Sequence, residues 1–154
     1  MASSEPSSLA LAQEVLGYSM KTLSQEDVDL LKRLVLDWCG VVAKGTSTPW
    51  GQKLNTWAEA NAGGGKAIIA GSGIKRAAAS AALVNGTIAH GYELDDTHDA
   101  SMSHPGAVVI SAAMAVAGQI GAKGEDVLPA IAAGYEVMAR VGMAANALET
   151  LTFG

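Results

Sequence analysis

All three histidines of this chain fall within fifteen consecutive residues, and four of its carboxylates lie between them. His90, His98 and His104 bracket Glu93, Asp95, Asp96 and Asp99 in the run AHGYELDDTHDASMSHPG. Imidazole moves protons near neutral pH, and a neighbouring carboxylate fixes its tautomer and favours its charged form. That combination suits removal of a proton beside a carboxylate group, followed by loss of water or carbon dioxide. The same residue types are metal ligands, yet their spacings match no helical ligand motif, HExxH included. A third reading is a structural loop, in which Asp and Thr cap turns and the histidines are satisfied locally. A merely solvated loop would mix lysine with its acids, and no Lys or Arg occurs between Arg76 and Lys123.

A loop of this kind needs a frame, and the flanking sequence reads as helices. A first amphipathic helix is expected from Ser7 or Ser8 to about Met20, after a frayed segment over residues 1–6. A second starts at Ser24, whose SQED run resembles a capping box with Asp27 in the place of the usual Glu. Its apolar residues Val28, Leu31, Val35, Trp38 and Val42 recur in steps of three and four, which makes one helical stripe ending at Gly45. Pro49 opens a third helix at its first turn, with Trp50, Leu54 and Trp57 on one face, and NAGGG (61–65) ends it. KAIIAGSG (66–73) reads as one short strand and a glycine turn. It is not a phosphate loop: a Walker A motif needs Gly-Lys-Ser/Thr, and Lys66 is followed by Ala67. A dinucleotide fingerprint fails because Arg76 stands where its third glycine belongs. A fourth helix is expected from about Ile74 to Glu93, a fifth from Pro105 to near Gly121, and a sixth from Gly124 or Glu125 to about Glu149. Glu136 and Arg140 lie four apart in the sixth, as a partly buried pair that helps set helix register.

The composition agrees with an all-α, compact domain of about six Ala/Gly-rich helices with at most one short strand. Of 154 residues, 29 are Ala and 18 are Gly, while aromatics make up only 5%, so helix backbones are expected to pack closely. The net charge of −5 leaves no basic stripe for nucleic acid. One cysteine, Cys39, excludes an intrachain disulfide and any zinc or iron–sulfur site made of cysteines from this chain alone. The longest apolar stretch, Pro105 to Gly118, falls short of the roughly 20 residues of a membrane span. No export signal is evident at the N-terminus, so a cytoplasmic location is the expectation. The positive mean hydropathy of +0.24 implies that some apolar surface meets other protein.

The central run resembles the MmgE/PrpD family, which includes 2-methylcitrate dehydratases, cis-aconitate decarboxylases and an iminodisuccinate epimerase. The resemblance rests on Asn85-Gly86-Thr-Ile-Ala89-His90-Gly-Tyr-Glu93-Leu-Asp95-Asp96-Thr97-His98, followed by His104-Pro105-Gly106. Two shorter stretches agree: Leu36-Asp37-Trp38-Cys39-Gly40, and Ala133-Gly134-Tyr135-Glu136-Val137 with Arg140. Together they cover residues 9–150 in the family's order. The resemblance implies a helical domain without metal or cofactor, and dehydration or decarboxylation of a small di- or tricarboxylate. It implies a homodimer, or pairing with a longer homologous subunit. His104 would give or take a proton at the substrate carbon. Glu93 and Asp96 would be the carboxylates that act with it, and Thr97, His98 and Asp95 would contact substrate. His90 reads as a structural contact at a helix end. Glu93 stands where family members often have Asp. Family enzymes run to several hundred residues, with a second α/β domain and further site residues, a lysine and a histidine among them. Residues 7–154 are therefore expected to be the N-terminal part of the helical domain, incomplete alone. Two other functions stay open: epimerisation by the same groups, or a non-catalytic helical module that associates with a longer subunit.

Overall fold

The computed structural model describes residues 7–145. The expected frayed segment at 1–6 and the end of the last helix beyond 145 lie outside the described residues. Six α-helices follow in order: α1 (Ser7–Val15), α2 (Gln25–Gly45), α3 (Pro49–Asn61), α4 (Ala78–His90), α5 (Pro105–Ile120) and α6 (Gly124–Ala144). Between α3 and α4 lies a two-stranded antiparallel ribbon, β1 (Ala67–Ile68) and β2 (Lys75–Arg76). The expected strand is therefore paired with a second one as short. A single 3₁₀ turn, Asp99–Ser101, interrupts the segment between α4 and α5.

Local chemistry accounts for the helix limits. Ser24 Oγ accepts from the Asp27 N–H (3.1 Å), and the Asp27 carboxylate accepts from the Ser24 N–H (2.9 Å), so the shorter acid still closes the capping box. Bonds from the Ser24 hydroxyl and backbone hold the Asp27 carboxyl below its usual range. Thr48 caps α3 by accepting from the Gly51 N–H (3.0 Å), and Pro49 occupies the first turn. The first helix ends at Val15 rather than Met20, because the next residues bond to each other. Thr22 Oγ1 donates to the Gly17 and Ser19 carbonyls and accepts from the Ser19 N–H. Such local bonds compete with helix continuation. The fourth helix starts at Ala78 rather than Ile74, since Lys75 and Arg76 are taken up by the ribbon. It ends at His90 rather than Glu93, where the backbone turns left-handed (φ 51°).

The core forms where α2, α4, α5, α6 and the ribbon meet. Val42, Ile69, Val84, Ile88, Ile110 and Ile131 are completely buried or nearly so. Ala81, Ala89, Ala107 and Ala115 fill the narrow space around α4 and α5. Burying these side chains stabilises the domain by about 1.5–3 kcal/mol for each Val or Ile. Ser111, which breaks the apolar run of α5, is the buried acceptor for Trp38 Nε1 (2.9 Å), so α5 and α2 are joined by a polar contact inside the core. Asn85 of α4 is also buried. Its Oδ1 accepts from the Ala70 N–H (2.9 Å) and its Nδ2 donates to the Ile68 carbonyl (3.0 Å), which clamps the ribbon onto the helix.

The Glu136–Arg140 pair forms on α6, partly buried at Glu136 as expected and more exposed at Arg140. Both side chains are partly exposed, and Arg140 also grips the Glu14 carboxylate of α1 at 2.5 and 2.8 Å. The pair therefore ties the first described helix to the last as well as stiffening its own. Leu16, Leu36 and Ile120 stand largely in solvent, consistent with the positive hydropathy. Among the described residues, α6 alone is long and apolar enough to cross a membrane by length and composition.

Candidate functional site

The acid- and histidine-rich segment runs from Gly91 to His104 and crosses one end of the bundle between α4 and α5. It is pinned at several points. The Glu93 N–H donates to the His90 carbonyl (2.9 Å), which closes the turn out of α4. The His98 N–H donates to the Ser103 carbonyl (2.9 Å), so the 3₁₀ turn sits inside a small backbone bridge. Met102 leaves that turn in a left-handed conformation (φ 49°). The turn lies flat on α6, where a side chain at Gly142 would come within 2.8 Å of the Ser101 carbonyl.

The segment separates two open clefts. The first, about 750 Å³, lies between α1, α2 and α6, and receives Asp96, Thr97, His98 and Tyr135. The second, about 920 Å³, is walled by α4 and α5, and receives His90, Glu93, Ser103 and His104, with Trp50, Met102 and Met138. Among the described residues, no lysine or arginine lines the second cleft.

Facing the first cleft, the polar groups are mostly bonded to protein. Asp96 accepts the Gly106 N–H at Oδ1 (2.8 Å) and the Tyr135 hydroxyl at Oδ2 (2.7 Å). It thus satisfies the N-terminus of α5, where a negative charge is favoured, and joins that end to α6. Burial, then the bond to Asp96, raises the Tyr135 hydroxyl well above the usual phenol range, so it stays a donor. A side chain at Gly106 would crowd Asp96 Oδ1, so Asp96 would have to shift to make room for it. His98 Nδ1 lies 2.8 Å from Ser101 Oγ, which lies 2.6 Å from Ser103 Oγ. Thr97 is exposed.

The second cleft is different. Asp95 is buried, with its side chain 2% exposed, and lines neither cleft. His90 Nδ1 is 3.2 Å from both of its oxygens, and His104 Nδ1 is 3.4 Å from Oδ1. The two rings meet edge to face, with centroids 4.7 Å apart. His104 Nδ1 is cut off from water and has no aligned hydrogen bond. His104 immediately precedes Pro105 at the start of α5, so the helix fixes its position. Glu93 is exposed on the rim, with its backbone left-handed.

The residues singled out from the sequence therefore divide. His104 and Glu93 share the second cleft, with His90 beside them. Asp96, Thr97 and His98 open to the first, and Asp95 lies inside the segment. Two partners were not evident beforehand. Tyr135, read only as part of a helix motif, reaches Asp96 from 39 residues away. His90, read as a helix-end contact, is half of an imidazole pair. Its signal was the spacing to Asp95, five residues on and just past a helix end. His90, Asp95 and His104 each offer one ligand atom, all within 4.8 Å of one another. That is the number of protein ligands at a catalytic zinc, but Asp95 already serves as the acceptor for one of these rings.

Comparison with known proteins agrees with the motifs. The model of the MmgE/PrpD N-terminal domain matches residues 9–152. The cis-aconitate decarboxylase-like protein oryM of Aspergillus oryzae (strain ATCC 42149 / RIB 40) is 30% identical over 133 residues. The match covers 80% of this chain and 27% of that protein, so the chain spans about a quarter of the length of the curated relative it matches.

Proposed function

Because the chain belongs to the MmgE/PrpD family, we propose that it supplies the acid–base wall of a lyase that dehydrates or decarboxylates a small polycarboxylate resembling 2-methylcitrate or cis-aconitate. The observation that carries this reading is His104, held at the start of α5 beside a buried carboxylate and open to a cleft of about 920 Å³. A histidine so placed takes or gives a proton at the carbon beside a substrate carboxylate. Positioned groups of this kind contribute roughly 10²–10⁴-fold to rate. Glu93 stands on the same rim, near enough to shape what enters. Thr97 and His98 open to the first cleft, on the other side of the segment, and are not assigned a contact with a substrate held at His104.

The absence of lysine and arginine from that cleft favours one extension of this reading. A di- or tricarboxylate needs cationic partners where it binds. A second polypeptide surface, from a second copy or a longer family subunit, would bring them. Incubation with 2-methylcitrate, citrate and cis-aconitate, followed by ultraviolet absorbance of the conjugated double bond, tests the chemistry. Absorbance rises on dehydration and falls when the conjugated acid is consumed. Turnover that drops at least 100-fold in His104→Ala supports the assignment, and turnover that survives this substitution removes it. Turnover that appears only after a longer family subunit is added assigns this chain to the role of a partner module. Product stereochemistry separates a lyase from an epimerase.

A further inference from the structure

We propose that Asp95 is a positioning residue shared by two imidazoles, and that His90 is a second proton carrier beside His104. This rests on the acid–base reading above and deepens it. A buried carboxylate is costly unless hydrogen-bonded or paired. Among the described residues, the ion pairs of Asp95 are with His90 and His104, and neither Lys nor Arg reaches it. A carboxylate has lone pairs enough for both rings. His90 Nδ1 sits 3.2 Å from both oxygens, and His104 Nδ1 3.4 Å from one of them. A proton on His104 Nδ1, which has no aligned partner among the described residues, would be drawn towards Asp95 Oδ1, 3.4 Å away.

The consequence for chemistry lies on the far side of each ring. With both Nδ1 atoms turned inward, each Nε2 is left free for the cleft that both histidines line. The side chains remain 46% and 33% exposed, so each ring has access to substrate and to solvent. Dehydration needs two such groups in opposite protonation states. One imidazole takes the C–H proton at Nε2, and the freed electron pair becomes the double bond. The other ring, entering as imidazolium, gives its Nε2 proton to the departing hydroxyl, which leaves as water with the C–O pair. The net result is one proton moved from one histidine to the other. Asp95 lies within 3.4 Å of both Nδ1 atoms, so its negative charge faces an imidazolium before and after the step. Solvent at the exposed ring edges restores the starting state.

The test is the imidazole tautomer, read in the 154-residue chain by long-range ¹H–¹⁵N spectra, with His98 as internal reference because its Nδ1 bonds to Ser101 instead. The expected result is the Nδ1–H tautomer in neutral His90 and His104. In Asp95→Asn, whose amide also offers a donor, at least one ring moves to the Nε2–H form while His98 and the backbone amides keep their shifts. A comparable loss of tautomer control follows removal of the carboxylate from a Ser-His-Asp triad. Nε2–H rings in the wild type, or unchanged tautomers in a folded Asp95→Asn variant, would overturn the proposal. So would one equivalent of zinc displacing both Nδ1 protons, which assigns the cluster to metal binding. This readout needs no turnover, so its failure is separate from failure of the lyase reading. On an acid whose turnover depends on His104, His90→Gln is expected to lower kcat about 100-fold with little change in KM. Unaltered kcat there would overturn the role given to His90.

Discussion

The two faces of the segment between Gly91 and His104 are built from the same few residue types and put them to opposite uses. Towards the first cleft, Asp96 spends both oxygens on protein donors, and the His98 ring is tied to Ser101, which bonds Ser103 in turn. Towards the second, His90 and His104 turn one nitrogen to a buried carboxylate and keep the other available. Composition cannot distinguish an acid that braces from an acid that serves a proton carrier. What separates them is where their hydrogen bonds go. Asp95 and Asp96 are adjacent in sequence, yet one holds a helix end in place while the other lies between two imidazoles.

That contrast can be broken or sharpened by substitution. The largest effect is expected at His104: loss of the imidazole should cost turnover at least 100-fold and leave the urea midpoint nearly unchanged. A large loss of stability instead would move His104 to the bracing face. Gly106→Ala should do the reverse. Its methyl group would drive into Asp96 Oδ1 and lie 3.0 Å from the Tyr135 hydroxyl, and overpacking of this sort costs about 1–3 kcal/mol, measured by urea unfolding. Tyr135→Phe removes one of the two donors to Asp96. A partly buried carboxylate short of a partner should lower stability by about 1–2 kcal/mol, and a change under a few tenths would show that the brace is dispensable. The smallest effect concerns Asp27, at the start of α2 on the wall of the first cleft. Its carboxyl lies below the ordinary value of 3.8 because it accepts from Ser24. Its contribution is therefore present above that value and disappears as pH falls through its lower, folded one. Circular dichroism should show slight fraying of α2 on acidification, absent in Asp27→Asn.

Much of the frame was legible in the sequence, because helix starts and stops depend on near neighbours. Ser24, Pro49, Gly45 and Gly121 announce their roles within a few residues. Two of the misjudged ends share a cause: the backbone found partners that no helical period reveals. Thr22 folds back on Gly17 and Ser19, and Lys75 and Arg76 pair with a strand. At the site, the cluster of histidines and acids was visible, but its division into two faces was not. That division depends on Tyr135, 39 residues beyond Asp96, and on which way each ring turns out of α4 and into α5. The Arg140 grip on Glu14 spans 126 residues and leaves no local trace.

One further consequence follows from Asn85. Two strands of two residues each, one of them at the protein surface, hold almost no information about how they should align. The Asn85 amide bonds the Ile68 carbonyl and the Ala70 N–H, the pattern a parallel neighbour strand would make across from Ile69. Ile69 turns its own N–H the other way, to Ile74 (2.8 Å). A slip by one residue would present Asn85 with an edge facing away from it and bring Ile69 out of the core. The seating of β1 on α4 thus depends on one side chain of the helix, as if α4 carried one residue of a third strand.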